Sequence, residues 1–238
     1  MRAVAAGLAV TVLALAGCSQ SQQPTPAQKA ATQKADIEAA AQAKLTMFNK
    51  LLGMQRGDLA IPIGEEVLAK YPHTKAAAQI AKVLPGLKTK VKAAAEKRRL
   101  AGLWLYQVSP MAGGKQSTAA IDPSKPAGSR VQLVLRRQSS WGTSAFLYDH
   151  KTGEHFACHK LCDIVMHFDG VQHVYKGYLP NGGEPAMFVK DYKSFIARLS
   201  KAKNVDMTVT IAGQGKVTLA FETGGFDAGK WVALPKKK

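Results

Sequence analysis

The stretch RVQLVLRR, Arg130 to Arg137, decides the fold of most of the chain. Val131, Leu133 and Leu135 recur at every second position, with Gln132 and Arg136 between them. A period of two places the apolar set on one face of a strand and the polar set on the other. The same texture surrounds it. LWLYQVS (103–109), SAFLYDH (144–150), DIVMHFD (163–169), VQHVYKGYL (171–179), AMFVK (186–190), VDMTVTI (205–211) and KVTLAFE (216–222) are short runs rich in branched and aromatic residues. KTGE (151–154), DG (169–170), NGGE (181–184) and GQG (213–215) separate them with turn-forming residues. Residues 111–129, rich in Gly, Ser, Pro and Ala, read as a long loop. DYKSFIARLSKA (191–202) interrupts the strands with one helix whose Phe195, Ile196 and Leu199 face a core. Eight strands at hairpin spacing with one inserted helix predict an antiparallel β-sandwich or open barrel over residues 101–238.

Upstream the period changes. Ile37, Ala41, Leu45, Phe48 and Leu52 recur at three- and four-residue spacing, the signature of one apolar helical stripe. A second helix is expected with Pro62 in its first turn and Ile63, Val67 and Leu68 inward, ending at KYPH. Thr74 suits the cap of a third helix through Ile80, Val83 and Leu87, with Pro85 a kink or break. The chain is therefore read as α+β: helices over 34–100, then the β-rich region.

The N-terminus carries an address. Arg2 precedes an uncharged apolar run over residues 3–17, too short to span a bilayer but suited to a signal-peptide core. The run ends in Leu15-Ala16-Gly17-Cys18, which resembles the lipobox of bacterial lipoproteins at all its defining positions. The resemblance implies removal of residues 1–17 and a diacylglyceryl group on Cys18; Ser19 resembles the pattern released to the outer membrane. Residues 18–33 are polar, contain Pro, lack large apolar side chains, and read as a flexible tether. The expectation is a protein anchored to the periplasmic face of the outer membrane by lipid alone.

A second resemblance lies in GDLAIPIGEEVLAKYPHTKAAAQIA (57–81), which is similar to the helical hairpin of a tetratricopeptide repeat through Gly57-Asp58, Tyr71-Pro72 and the alanines that follow. The spacing from Gly57 to Pro72 is short for that family, and no second copy follows at the repeat period. The resemblance implies that this segment holds a protein partner in the envelope.

Charge bears on the remaining partners. Thirty-three Lys and Arg against 16 Asp and Glu give +17. A surplus of this size favours anionic surfaces. Beside an outer membrane these are anionic lipid headgroups, lipopolysaccharide phosphates or cell-wall carboxylates rather than nucleic acid. Lys88, Lys90, Lys92, Lys97, Arg98 and Arg99 share their helix with only Glu96, and form a candidate contact for such a surface. The same cations equally suit a solvated face.

HFACHKLC (155–162) is the densest chemical cluster. With Cys18 assigned to lipid, Cys158 and Cys162 are the remaining pair, and an oxidising compartment favours their union in a disulfide. The bridge requires Cα atoms about 5.5 Å apart, so CHKLC must turn. The rival reading is a zinc or copper site from His155, Cys158, His159, Cys162 and His167, which would make the chain a metal-binding or metal-delivery lipoprotein. Its H-x2-C-H-x2-C spacing matches no usual finger, and adjacent Cys158 and His159 would point apart on a strand. No C-x2-C redox pair, nucleophile elbow, phosphate loop or paired carboxylate motif occurs. The expected function is a non-enzymatic binding or scaffolding module, with no cofactor beyond the lipid. An envelope hydrolase with an unrecognised site is the third reading.

Overall fold

The computed structural model describes residues 25–150 and 155–235. The signal segment 1–17, Cys18 and the expected tether up to residue 24 lie outside the described residues. The described residues form two compact units, divided between Lys88 and Thr89.

The first unit is helical: α1 (Pro26–Gly53), α2 (Gly57–Lys70) and the opening turns of α3 (Lys75–Gly102). The expected stripe supplies the core. Ala41, Leu45 and Phe48 of α1 pack with Ala60 and Val67 of α2 and with Ala76, Ala77, Ile80 and Leu84 of α3. Gly64 sits where the three meet: a Cβ there would lie 3.1 Å from Phe48 Cε2, Ile80 Cγ2 and Leu84 Cδ1. Thr74 caps α3, its hydroxyl accepting the Ala77 N–H at 3.2 Å.

Three helical expectations are corrected. α1 begins at Pro26, inside the stretch read as tether, because Thr25 and Gln28 form a capping box around a proline placed where the helix needs no donor. Pro62 lies within α2 rather than in its first turn. It is exposed, so water replaces the donor its ring removes. Pro85 does not break α3, which continues to Gly102. The far end of that helix belongs to the second unit. Arg99 pairs with Glu222 at 2.6 Å, and Gly225 lies against the Leu100 backbone so closely that no Cβ fits.

The second unit is a nine-stranded antiparallel sheet: β1 (Trp104–Met111), β2 (Gly114–Ile121), β3 (Val131–Gln138), β4 (Gly142–Asp149), β5 (Cys162–Phe168), β6 (Val171–Tyr178), β7 (Ala186–Val189), β8 (Val205–Ile211) and β9 (Gly215–Phe221), with helix α4 (Tyr192–Leu199) between β7 and β8. The spatial order is β1-β2-β3-β4-β7-β6-β5-β8-β9. One face of every strand meets in a single core, into which α4 inserts Phe195 and Leu199. The sheet therefore wraps on itself, with β1 and β9 as its two edges, consistent with the expected α+β class. Val131, Leu133 and Leu135 enter this core, as their alternation predicts.

β2 was not expected. It runs through the supposed loop 111–129 as GKQSTAAI, eight residues with little intrinsic strand preference. Pairing to β1 on one side and β3 on the other overrides that preference. Small side chains are what fit there: Ser117 and Ala119 are fully enclosed, and the Ser117 carbonyl accepts the indole N–H of buried Trp231 at 3.0 Å.

Candidate functional site

On the face of the sheet opposite the main core, Ala120, Val134, Phe146 and Ala186 form a second apolar cluster, flanked by Tyr148 and Phe188. Register builds an aromatic row across it. Phe146 opposes Phe188, and Phe188 opposes Tyr178. Their rings stack at centroid distances of 4.7 and 5.5 Å. Arg136 arrives from β3, its guanidinium carbon 4.9 Å from the Phe146 centroid, 5.6 Å from Trp141 and 5.7 Å from Phe188. A cation among three ring faces is held by their quadrupoles. Burial lowers its pKa, partly offset by the negative charge of Glu184; an Arg remains charged throughout.

Arg136 lines a cleft of about 1010 Å³. Ser144, its cross-strand partner in the β3–β4 register, lies beside it. Neither Arg136 Nε nor Ser144 Oγ, both buried, has a hydrogen-bond partner among the described residues. Trp141, Tyr178 and Tyr192 form aromatic walls, and Lys160 and Lys190 add charge at the sides. Among the described residues no carboxylate or imidazole lines the cleft. Trp141 is 58% exposed yet well positioned. The buried Gln138 side chain accepts the backbone N–H groups of Ser140 and Trp141 and donates to the Ala112 carbonyl. Ser139 and Ser140 tie the same turn to Lys115 and Gly113 of the neighbouring hairpin.

The expected disulfide forms one wall. Cys158 and Cys162 are bonded, with Cα atoms 5.5 Å apart. The closed loop delivers Lys160, held at φ +60°, and Leu161 to the cleft. Both sulfurs rest 3.6–3.7 Å from the Gly177 carbonyl oxygen; being oxidised, they touch it without donating a proton. A side chain at Gly177 would be crowded, since a Cβ would meet Ile164 Cδ1 at 2.7 Å and Met187 Sδ at 3.2 Å.

The same bond bears on the metal alternative. Joined sulfurs are not thiolate ligands. Phe156 between them and His155 bridges to Ile211, while His167 pairs in register with Gln172 and Asp206, away from exposed His159. Among the described residues no group of three His, Cys, Asp or Glu side chains comes together to hold an ion.

The basic run on α3 is divided. Lys88 pairs with Glu65 at 2.6 Å. Arg99 is bound by Glu96 and Glu222, whose hydrogen bonds raise its pKa. Lys90, Lys92, Lys97 and Arg98 are exposed; Lys92 acts electrostatically on Glu96. Among the described residues no helix is long and apolar enough to cross a membrane.

Sequence reasoning did not find the cleft. Arg136 was visible as the polar side of a strand, but its pairing with Ser144 depends on register, and the aromatic row joins three strands distant in sequence.

No family model matches the chain, and no curated protein matches it. A solved structure, the invasion associated protein B of Bartonella henselae, is similar at 19% identity and TM-score 0.37, over 53% of this chain and 87% of that one.

Proposed function

We propose that the chain is a lipid-anchored cell-envelope protein that binds or scaffolds acidic envelope components without catalysing a reaction. The observation that supports this most directly is the cleft of Arg136, Lys160 and Lys190, which among the described residues has three cations, aromatic walls and no carboxylate in its lining. An arrangement of this kind attracts an anion and offers it charge-assisted hydrogen bonds. Among the described residues its lining offers neither a carboxylate nor an imidazole to exchange a proton near neutral pH. The chain-wide charge of +17 favours encounter with an acidic surface. In this reading Cys18 carries the diacylglyceryl anchor at the periplasmic face of the outer membrane. The tetratricopeptide-like hairpin is offered to an envelope protein partner, and Lys90, Lys92, Lys97 and Arg98 supplement the contact with anionic lipid, lipopolysaccharide or cell wall.

The test uses the full chain with Cys18→Ser, so that lipid cannot account for retention. Isolated bacterial envelopes should sediment this variant at low salt and release it as salt rises, because exposed charges are screened. No sedimentation at low salt would overturn the reading.

A further inference from the structure

We infer that the Arg136 cleft is a receptor for an acidic sugar, a pyranose ring bearing a phosphate or a carboxylate. The inference rests on the reading of the chain as a binding module and assigns the ligand chemistry of that same site.

Two observations fix the anionic part. Arg136 Nε and Ser144 Oγ are buried, adjacent across the β3–β4 register, and without hydrogen-bond partners among the described residues. Burying two polar groups unpaired is costly unless a ligand completes them. Neither atom has accessible surface as the side chains stand, so an entering oxyanion would engage them through a small turn of both, taking the Nε–H and a neighbouring Nη–H of the guanidinium fork and the serine hydroxyl. The guanidinium is held in place beforehand, its carbon 4.9 to 5.7 Å from the Phe146, Trp141 and Phe188 ring centroids. Glu184 acts on Arg136 electrostatically, but it does not line the cleft. Lys160 and Lys190 add positive charge on the approach.

The sugar follows from what surrounds the fork. A bare anion would leave Trp141 unused: its ring is 58% exposed, next to the guanidinium, on a turn pinned by the buried Gln138. A rigid exposed ring face is a stacking platform prepared before binding. Thr143, Ser144 and Asn181 share the lining with the aromatic side chains. A ligand with apolar C–H faces and a hydroxylated rim satisfies both kinds of surface, whereas a flat apolar aromatic would leave the polar groups unmet. A volume of about 1010 Å³ in an open cleft accommodates more than one ring, so the acidic sugar is placed as a residue of a longer glycan.

The full chain, with its native anchor in detergent, would be titrated by calorimetry with glucosamine 6-phosphate, glucuronic acid, glucose and inorganic phosphate. Both acidic sugars, or one of them, should bind at least about tenfold more tightly than glucose and than phosphate alone, since a site built to hydrogen-bond a charged group rejects analogues lacking it. Preference for glucosamine 6-phosphate assigns a phosphate-bearing source, and preference for glucuronic acid a carboxylate-bearing one. Arg136→Lys keeps the charge and loses the fork; Ser144→Ala removes only the hydroxyl. Each should weaken the acidic sugar about tenfold or more while circular dichroism and Tm stay at wild-type values. Glucose binding as tightly as the acidic sugars, or both variants binding like wild type, would overturn the inference. So would envelope sedimentation by the Cys18→Ser chain with no acidic sugar bound, an outcome that leaves the binding-module reading standing.

Discussion

Gln138 and Trp141 are joined by a 2.6 Å hydrogen bond from the Trp141 backbone N–H to the Gln138 side-chain oxygen, so a residue almost wholly buried sets the position of one largely exposed. The carboxamide also serves Ser140 and the Ala112 carbonyl, linking two hairpins through one side chain. Gln138→Ala removes three part-buried hydrogen bonds and leaves a cavity, and should cost about 1–3 kcal/mol in urea unfolding. The same variant should weaken the acidic sugar, because the indole loses its fixed position.

Gly177→Ala forces a Cβ to within 2.7 Å of Ile164 Cδ1 and 3.0 Å of Ile164 Cγ1. Overpacking of this kind should destabilise by about 1–3 kcal/mol. Ile164→Val deletes the nearer atom, so the double variant should recover part of the loss. Denaturant titrations of the four proteins in a double-mutant cycle measure the coupling; strict additivity would show that the two side chains do not collide.

Replacing both cysteines, Cys158→Ser with Cys162→Ser, opens a loop of sequence separation 4. Chain entropy for so short a loop predicts a loss of about 2 kcal/mol, small enough for the β unit to remain folded. Near-ultraviolet circular dichroism should stay native while the denaturation midpoint falls. Acidic-sugar affinity should fall too, since Lys160 and Leu161 lose their frame.

In the helical unit, Glu66 accepts hydrogen bonds from Lys44 and Lys70, both at 2.9 Å, and these hold its carboxyl below the usual range. A carboxyl depressed in the folded state contributes stability above its unfolded pKa and loses it as pH falls through the folded value. Glu66→Gln should therefore lower Tm at pH 7, and the gap to wild type should close as pH falls from the ordinary glutamate range through the lower folded value. A gap independent of pH would assign the effect to packing.

Much of this architecture can be read from local pattern. The alternation of Val131, Leu133 and Leu135 places β3, and the Asp169-Gly170 pair places the β5–β6 turn, where both residues adopt positive φ. The spacing of Cys158 and Cys162 announces their bridge. β2 escapes such reading because its Gly, Ser and Ala side chains signal a loop, and only two neighbouring strands make it a strand. The onset of α1 was legible in Thr25, Pro26 and Gln28, but a polar composition obscured it. Trp231, enclosed beneath Arg137 at 3.9 Å, has no local signal at all. The cleft is least legible, since its lining depends on which residue of β4 faces Arg136, a matter of register alone.

The early start of α1 also sets a distance. Seven peptide units separate Cys18 from Thr25, and at full extension they reach about 25 Å. Had the helix begun at residue 34, the stalk would have been about twice as long. On the proposed acylated cysteine, the base of α1 is thus restricted to a shell no thicker than the bilayer's own hydrocarbon interior, about 30 Å. Partners of the base of α1 would then be sought among molecules that live at the membrane surface, while the rest of that 28-residue helix, about 42 Å long, can reach further out.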